Sequence, residues 1–107
     1  ELSAQKITRL QEIVSNGKKE IQLFTKEAHL NLKYAKESVE SGDLDRLFRA
    51  AHTIKGNSRI HNLKGLSSQV HVIENDIDNF EEQQLEQYEI FFGELWNDLF
   101  NNVEYND

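Results

Sequence analysis

Four side chains with complementary chemistry stand at short spacings in this chain: His52 and Lys55, then His71 and Glu74. Each pair is three residues apart, so each shares one face if its segment is helical. His52 lies inside Arg46–Lys64, a stretch with five Lys or Arg, two His and no carboxylate. The chain as a whole has a net charge of −7, and beyond Lys64 it holds no Lys or Arg and eleven Asp or Glu. An imidazole with an ordinary pKa of about 6.5 is largely neutral and nucleophilic near pH 7. A basic surround draws an anion toward it. That combination suits attack on an anionic electrophile, with His52 accepting a phosphoryl group and handing it on.

A carboxylate that accepts the Nδ1 proton would fix the tautomer, leave the Nε2 lone pair free and stabilise the charge formed during attack. Glu74 is the candidate for that role. Lys55 would supply a mobile cation to phosphoryl oxygens, while Arg49 and Arg59 favour an arriving anion. Gly56, one turn beyond His52, costs about 1 kcal/mol relative to Ala within a helix. That cost is explained if the missing side chain makes room for a partner protein.

The elements that must position these groups read as helices, since there is no Pro and only five Gly. Residues 2–16 carry Leu2, Ile7, Leu10, Ile13 and Val14, ended by Asn16-Gly17. From Lys19 to Ser41, Ile21, Phe24, Ala28, Leu32, Ala35 and Val39 form one apolar stripe. Asp43 is an expected N-cap for a third helix, whose inner stripe is Leu44, Leu47, Phe48, Ala51, Ile54 and Ser58. Asn62 is read as a further N-cap, before a seam of Leu63, Leu66, Val70, Ile73, Ile77 and Phe80. Asn79–Glu82 resembles a capping box. The last helix is expected to run to Val103, burying Leu85, Phe92, Trp96 and Leu99.

The expected fold is therefore all-α, an antiparallel up-and-down four-helix bundle over residues 19–103. Residues 1–17 form a minor extra helix, either a cap or a connector. His52 falls roughly 105° from the centre of its stripe, so it flanks the core. His52 is ten residues before Asn62, with His71 nine and Glu74 twelve after it. At about 1.5 Å per residue, the three side chains lie within one turn of the same height.

Composition narrows the function classes. At 107 residues the chain is expected to be a single domain. No apolar run approaches the roughly 18 residues of a membrane span. Absence of Cys excludes disulfides and fits a reducing, cytoplasmic setting. The acidic balance argues against nucleic-acid binding. A start at Glu1 rather than Met leads us to expect a longer parent protein. No P-loop or kinase glycine loop occurs, so the domain is not expected to bind ATP itself.

Ala51-His52-Thr53-Ile54-Lys55-Gly56 resembles the His-x-x-Lys-Gly signature of histidine phosphotransfer (HPt) domains, the helical phosphocarriers of two-component signalling. The segment from Leu63 through His71 to Glu74 looks most like the phosphotransfer domain of chemotaxis-type histidine kinases. That resemblance implies a hydrogen-bonded quartet of His52, Lys55, His71 and Glu74, with His52 phosphorylated. It implies a histidine kinase catalytic domain or a receiver aspartyl phosphate as donor and a response-regulator receiver domain as acceptor. These would dock over Gly56, Arg49 and Arg59. It also implies a monomeric domain with no bound cofactor of its own, Mg²⁺ being brought by the partner. Asn62 stands near a turn where the family commonly has Gly, and Asn tolerates the left-handed conformation. A chemotaxis kinase, a hybrid kinase and a stand-alone carrier all fit.

Competing readings use the same residues. His71 and Glu74 share a helix face, as ligands of a carboxylate-bridged metal bundle do. Such bundles, however, use Glu-x-x-His on two helices, and here the order is reversed and single. A non-catalytic helical interaction module would share the fold and have no use for His52. His29 and His61 are read as solvated bystanders, and Trp96 as packing.

Overall fold

In the computed structural model, which describes residues 2–79 and 85–101, every regular element is helical. Helix α1 spans Leu2–Asn16, α2 Lys18–Ser41, α3 Leu44–Ile60, α4 Lys64–Asp78 and α5 Leu85–Trp96. The last runs on into a π-helical turn, Asn97–Asn101. Phe80, Val103 and residues 80–82 of the expected capping box lie outside the described residues.

Two short turns set the course of the chain. Gly42 adopts φ 74°, and its N–H and that of Asp43 reach back to the carbonyls of Val39 and Ser38, closing α2. Asp43 then accepts from the Arg46 N–H at 3.1 Å, capping α3 as expected. The turn after α3 differs from expectation. Asn62 does not cap α4; it sits at φ 64° and terminates α3, its N–H meeting the Arg59 carbonyl and that of Leu63 the Ser58 carbonyl. Leu63 occupies the N-cap position of α4, where it has no side-chain acceptor to offer.

The apolar stripes of α2, α3 and α4 face one another. Phe24, Ala28, Leu32 and Ala35 meet Leu47, Ala51 and Ile54, and α3 in turn packs on α4 through Leu66, Val70 and Ile73. Phe92, Leu95 and Leu99 complete the core from the α5 side, where α5 contacts α2. Small residues at 28, 35, 50 and 51 allow close approach of α2 and α3.

Helix α1 is rotated away from its expected face. Ile7 and Val14 are exposed, while Arg9 is buried beside Ile13. The cause is an ion pair: Arg9 Nε–H and Nη2–H donate to Asp98 Oδ2 at 3.2 and 3.1 Å, and both side chains are almost wholly buried. Arg9 Nη1–H also donates to Gln69 Oε1 at 3.1 Å, and the guanidinium lies over the Phe91 ring. Asp98 belongs to the π turn, so the final helix is not the regular one expected through Val103. Such insertions are invisible to a 3.6-residue apolar period.

His61 is no bystander. It is buried at the end of α3, its Nδ1 2.6 Å from Glu20 Oε2 and its Nε2 2.8 Å from Glu27 Oε2. Glu20, Phe24 and Glu27 lie on one face of α2, and the Phe24 ring meets the imidazole edge-on. A neutral imidazole has one N–H, so both contacts are hydrogen bonds only for the imidazolium. Burial works against that charge, but the hydrogen bonds and charges of Glu27 and Glu20 outweigh it and raise the pKa above 6.5. A raised folded pKa gives stability that is complete below the unfolded value and lost as pH rises through the folded one. The stability advantage of the natural protein over His61→Gln should therefore shrink as pH rises from the ordinary imidazole pKa of about 6.5 into the alkaline range. Urea unfolding across that range measures it; a difference independent of pH would contradict the charged clasp.

Candidate functional site

His52 and Lys55 project from α3 toward Glu74 on α4. The Glu74 side chain is only 7% exposed, whereas that of His52 is 65% exposed. His52 Nδ1–H donates to Glu74 Oε2 at 2.9 Å, and the Lys55 ammonium sits 2.6 Å from Glu74 Oε1. One carboxylate thus takes a partner on each oxygen, both from the neighbouring helix. The Phe48 ring, one turn before His52, stacks nearly parallel to the imidazole at a centroid distance of 6.4 Å. With Nδ1 engaged, Nε2 is the nitrogen left to react, and it has no hydrogen-bond partner among the described residues.

Burial tends to raise the carboxyl pKa of Glu74. The hydrogen bonds and charges of Lys55 and His52 more than offset this and hold it below the ordinary carboxylate value. Glu74 is consequently an anion at neutral pH, as an acceptor for Nδ1–H must be.

The remaining predicted residues divide. Gly56 lies on the His52 side, and a Cβ added there would meet nothing within 4 Å, so its surroundings are open. Arg49 and Arg59 are exposed. Arg49 also borders a shallow groove of about 410 Å³ with Leu44, Asp45, Phe48, Ile77 and Asp78. His71 does not join the others: it is exposed, and its Nε2 meets Asn75 of its own helix at 3.4 Å. At position 71 the side chain points past the α3–α4 seam that Val70, Ile73 and Glu74 occupy, so the expected quartet is a trio. Lys55, expected as a mobile cation, is instead largely buried against Glu74.

Comparison with known families matches residues 19–104 to the Hpt domain. The chain belongs to the Hpt domain family. Hpt domains serve phosphotransfer in two-component signalling. No curated protein and no solved structure matches the chain. Among the described residues, no helix is long and apolar enough to cross a membrane. Nor do three or more His, Cys, Asp or Glu among them come together as metal ligands. The carboxylate beside His52 is engaged by His52 on one oxygen and by Lys55 on the other.

Sequence reasoning passed over Arg9, Glu12 and Asp98. Glu12 Oε2 accepts the Gly65 N–H at 2.6 Å and Oε1 the Leu66 N–H at 3.1 Å, across more than fifty residues of chain. With Asn62 read as the cap of α4, nothing in the sequence pointed to one in the first helix; the uncapped start with Gly65 at its second position emerges only from the structure. Trp96 is partly buried, with the His29 ring at 5.2 Å and the Lys36 ammonium at 4.8 Å from its ring.

The His52–Glu74 contact is directly measurable. Nitrogen-15 NMR should find neutral His52 protonated at Nδ1, and Glu74→Ala should erase that preference; an Nε2-protonated ring in the natural protein would contradict the geometry.

Proposed function

We propose that Nε2 of His52 is the phosphoryl acceptor of this Hpt domain, and that the group passes from there to a receiver-domain aspartate. The observation that carries this reading is the 2.9 Å contact between His52 Nδ1 and the buried Glu74 on an otherwise exposed ring. The Nε2 lone pair attacks phosphorus, a P–N bond forms and the donor P–O bond breaks. The Nδ1 proton stays in place, and the positive charge on the ring is met by Glu74. In the second step a receiver carboxylate oxygen attacks phosphorus, the P–N bond breaks and the imidazole is restored.

The donor is a histidine kinase catalytic domain or a receiver aspartyl phosphate. Glu74 orients the ring, and Lys55 keeps Glu74 ionised and in place. Arg49 and Arg59 attract the anion, and Gly56 leaves space for the docked partner. Mg²⁺, which supplies charge neutralisation in such transfers, comes with that partner. The same reading takes α2 to α5 as an antiparallel up-and-down bundle that works in the cytoplasm, either as part of a chemotaxis-type or hybrid kinase or as a stand-alone carrier.

His52→Gln should abolish phosphoryl labelling with helicity intact by circular dichroism. Glu74→Ala should slow labelling roughly 10- to 100-fold, the usual cost of removing a group that orients a reactive histidine. Persistent labelling of His52→Gln would identify another acceptor, and no labelling of the natural protein would leave the domain as a non-catalytic interaction module.

Gly56→Arg places a long cation in the open space near His52. It should block transfer to a receiver while leaving the fold unchanged. Normal transfer kinetics would show that the receiver approaches from elsewhere.

A further inference from the structure

Helix α4, which carries Glu74, begins without a capping group of its own. Helices leave their first N–H groups unpaired, and the second and third helical positions are those a cap normally satisfies. Here these are Gly65 and Leu66, and both donate to the one carboxylate of Glu12 in α1. An anion at a helix N-terminus is also favoured by the helix dipole. A second observation points the same way. A Cβ at Gly65 would lie 2.7 Å from Thr8 Cγ2 and 3.0 Å from Glu12 Oε1, so the absent side chain is what lets α1 approach. The helix is fastened further along by Arg9 to Asp98 and Gln69, and by Gln69 Nε2–H to the Gln5 carbonyl at 3.2 Å.

The capped turn leads directly toward the reactive trio. Ser67 follows Leu66 and reaches the Lys55 carbonyl at 3.4 Å, and Lys55 in turn holds Glu74. A helix moves largely as one piece, so the seating of the first turn of α4 sets the height at which Glu74 meets His52. Helix α1 lies outside residues 19–104, the part matched to the family.

We infer that Glu12 is a positioning residue for His52, acting by capping α4 from α1 and so holding Glu74 in register with the imidazole. This rests on the phosphoacceptor role of His52 for its consequence in turnover, though not for its consequence in geometry.

The test uses the full chain with Glu12→Ala, Glu12→Gln and Gly65→Ala. Three readouts are compared: amide exchange at Gly65 and Leu66, the nitrogen-15 signature of His52 Nδ1–H, and the rate of phosphoryl transfer from a phosphorylated receiver. Glu12→Ala should lower protection of the two amides roughly tenfold, the scale of a lost cap. It should weaken the His52 signature and slow transfer by roughly twofold to thirtyfold, the range of coupling carried between sites. Glu12→Gln should recover part of each, because its carboxamide oxygen still accepts. Gly65→Ala should mimic Glu12→Ala by displacing α1, although alanine is the better helix former. A slower rate there cannot be ascribed to a weaker helix.

Loss of amide protection with an unchanged His52 signature would reduce Glu12 to a structural cap and overturn the inference. If the natural protein took no label at His52, the phosphoacceptor reading would fail, and the NMR comparison would still decide the coupling.

Discussion

A single buried carboxylate organises the reactive end of this domain. Glu74 lies inside the α3–α4 seam, where an unpaired charge would be costly. Its burial is sustained because α3 delivers a cation to one oxygen and an imidazole N–H to the other. The same two contacts decide the tautomer of His52. An exposed histidine ordinarily samples both tautomers and several rotamers; this one is held by one nitrogen and presented by the other. Stability of the seam and readiness of the ring are thus one arrangement viewed from two sides.

Charge distribution follows the same economy. Lys and Arg are confined to the first three helices and the start of α4, and the later chain is acidic. The positive stretch around His52 therefore faces solvent on one flank and a carboxylate on the other. His61, nine residues beyond His52 on the same helix and its end, shows the opposite outcome. It too meets carboxylates, but two of them and on both nitrogens, which leaves no lone pair to react. The contrast separates a histidine held for chemistry from one held for structure.

Much of this was legible in the residues. The apolar periods of α2, α3 and α4 located the core faces, and similar distances from the turn at Asn62 brought His52 and Glu74 within one helical turn of the same height. Asp43 announced the start of α3 through its own side chain. Other features were hidden because their partners are remote. Nothing local marks Glu12 as a cap for α4, or Arg9 as an inward residue, since both depend on how α1 is rotated. His61 looked solvated because it closes a helix, yet α2 supplies Glu20 and Glu27 over it. Asn62 was misread because Asn serves both as a cap and as a left-handed stop, and only φ distinguishes them. His71 fell outside because sequence height says nothing of which flank a side chain takes.

Arg9 and Asp98 are 89 residues apart and sealed together. Removing one partner of such a pair strands a charge in the interior, at about 3–5 kcal/mol, against a total stability of about 5–15 kcal/mol for a typical domain. Lys6 at 3.9 Å from Asp98 and Glu94 at 3.7 Å from Arg9 soften that cost without removing it. The first helix and one residue of the closing turn are therefore a single energetic unit, and a change in either is felt at both ends of the chain.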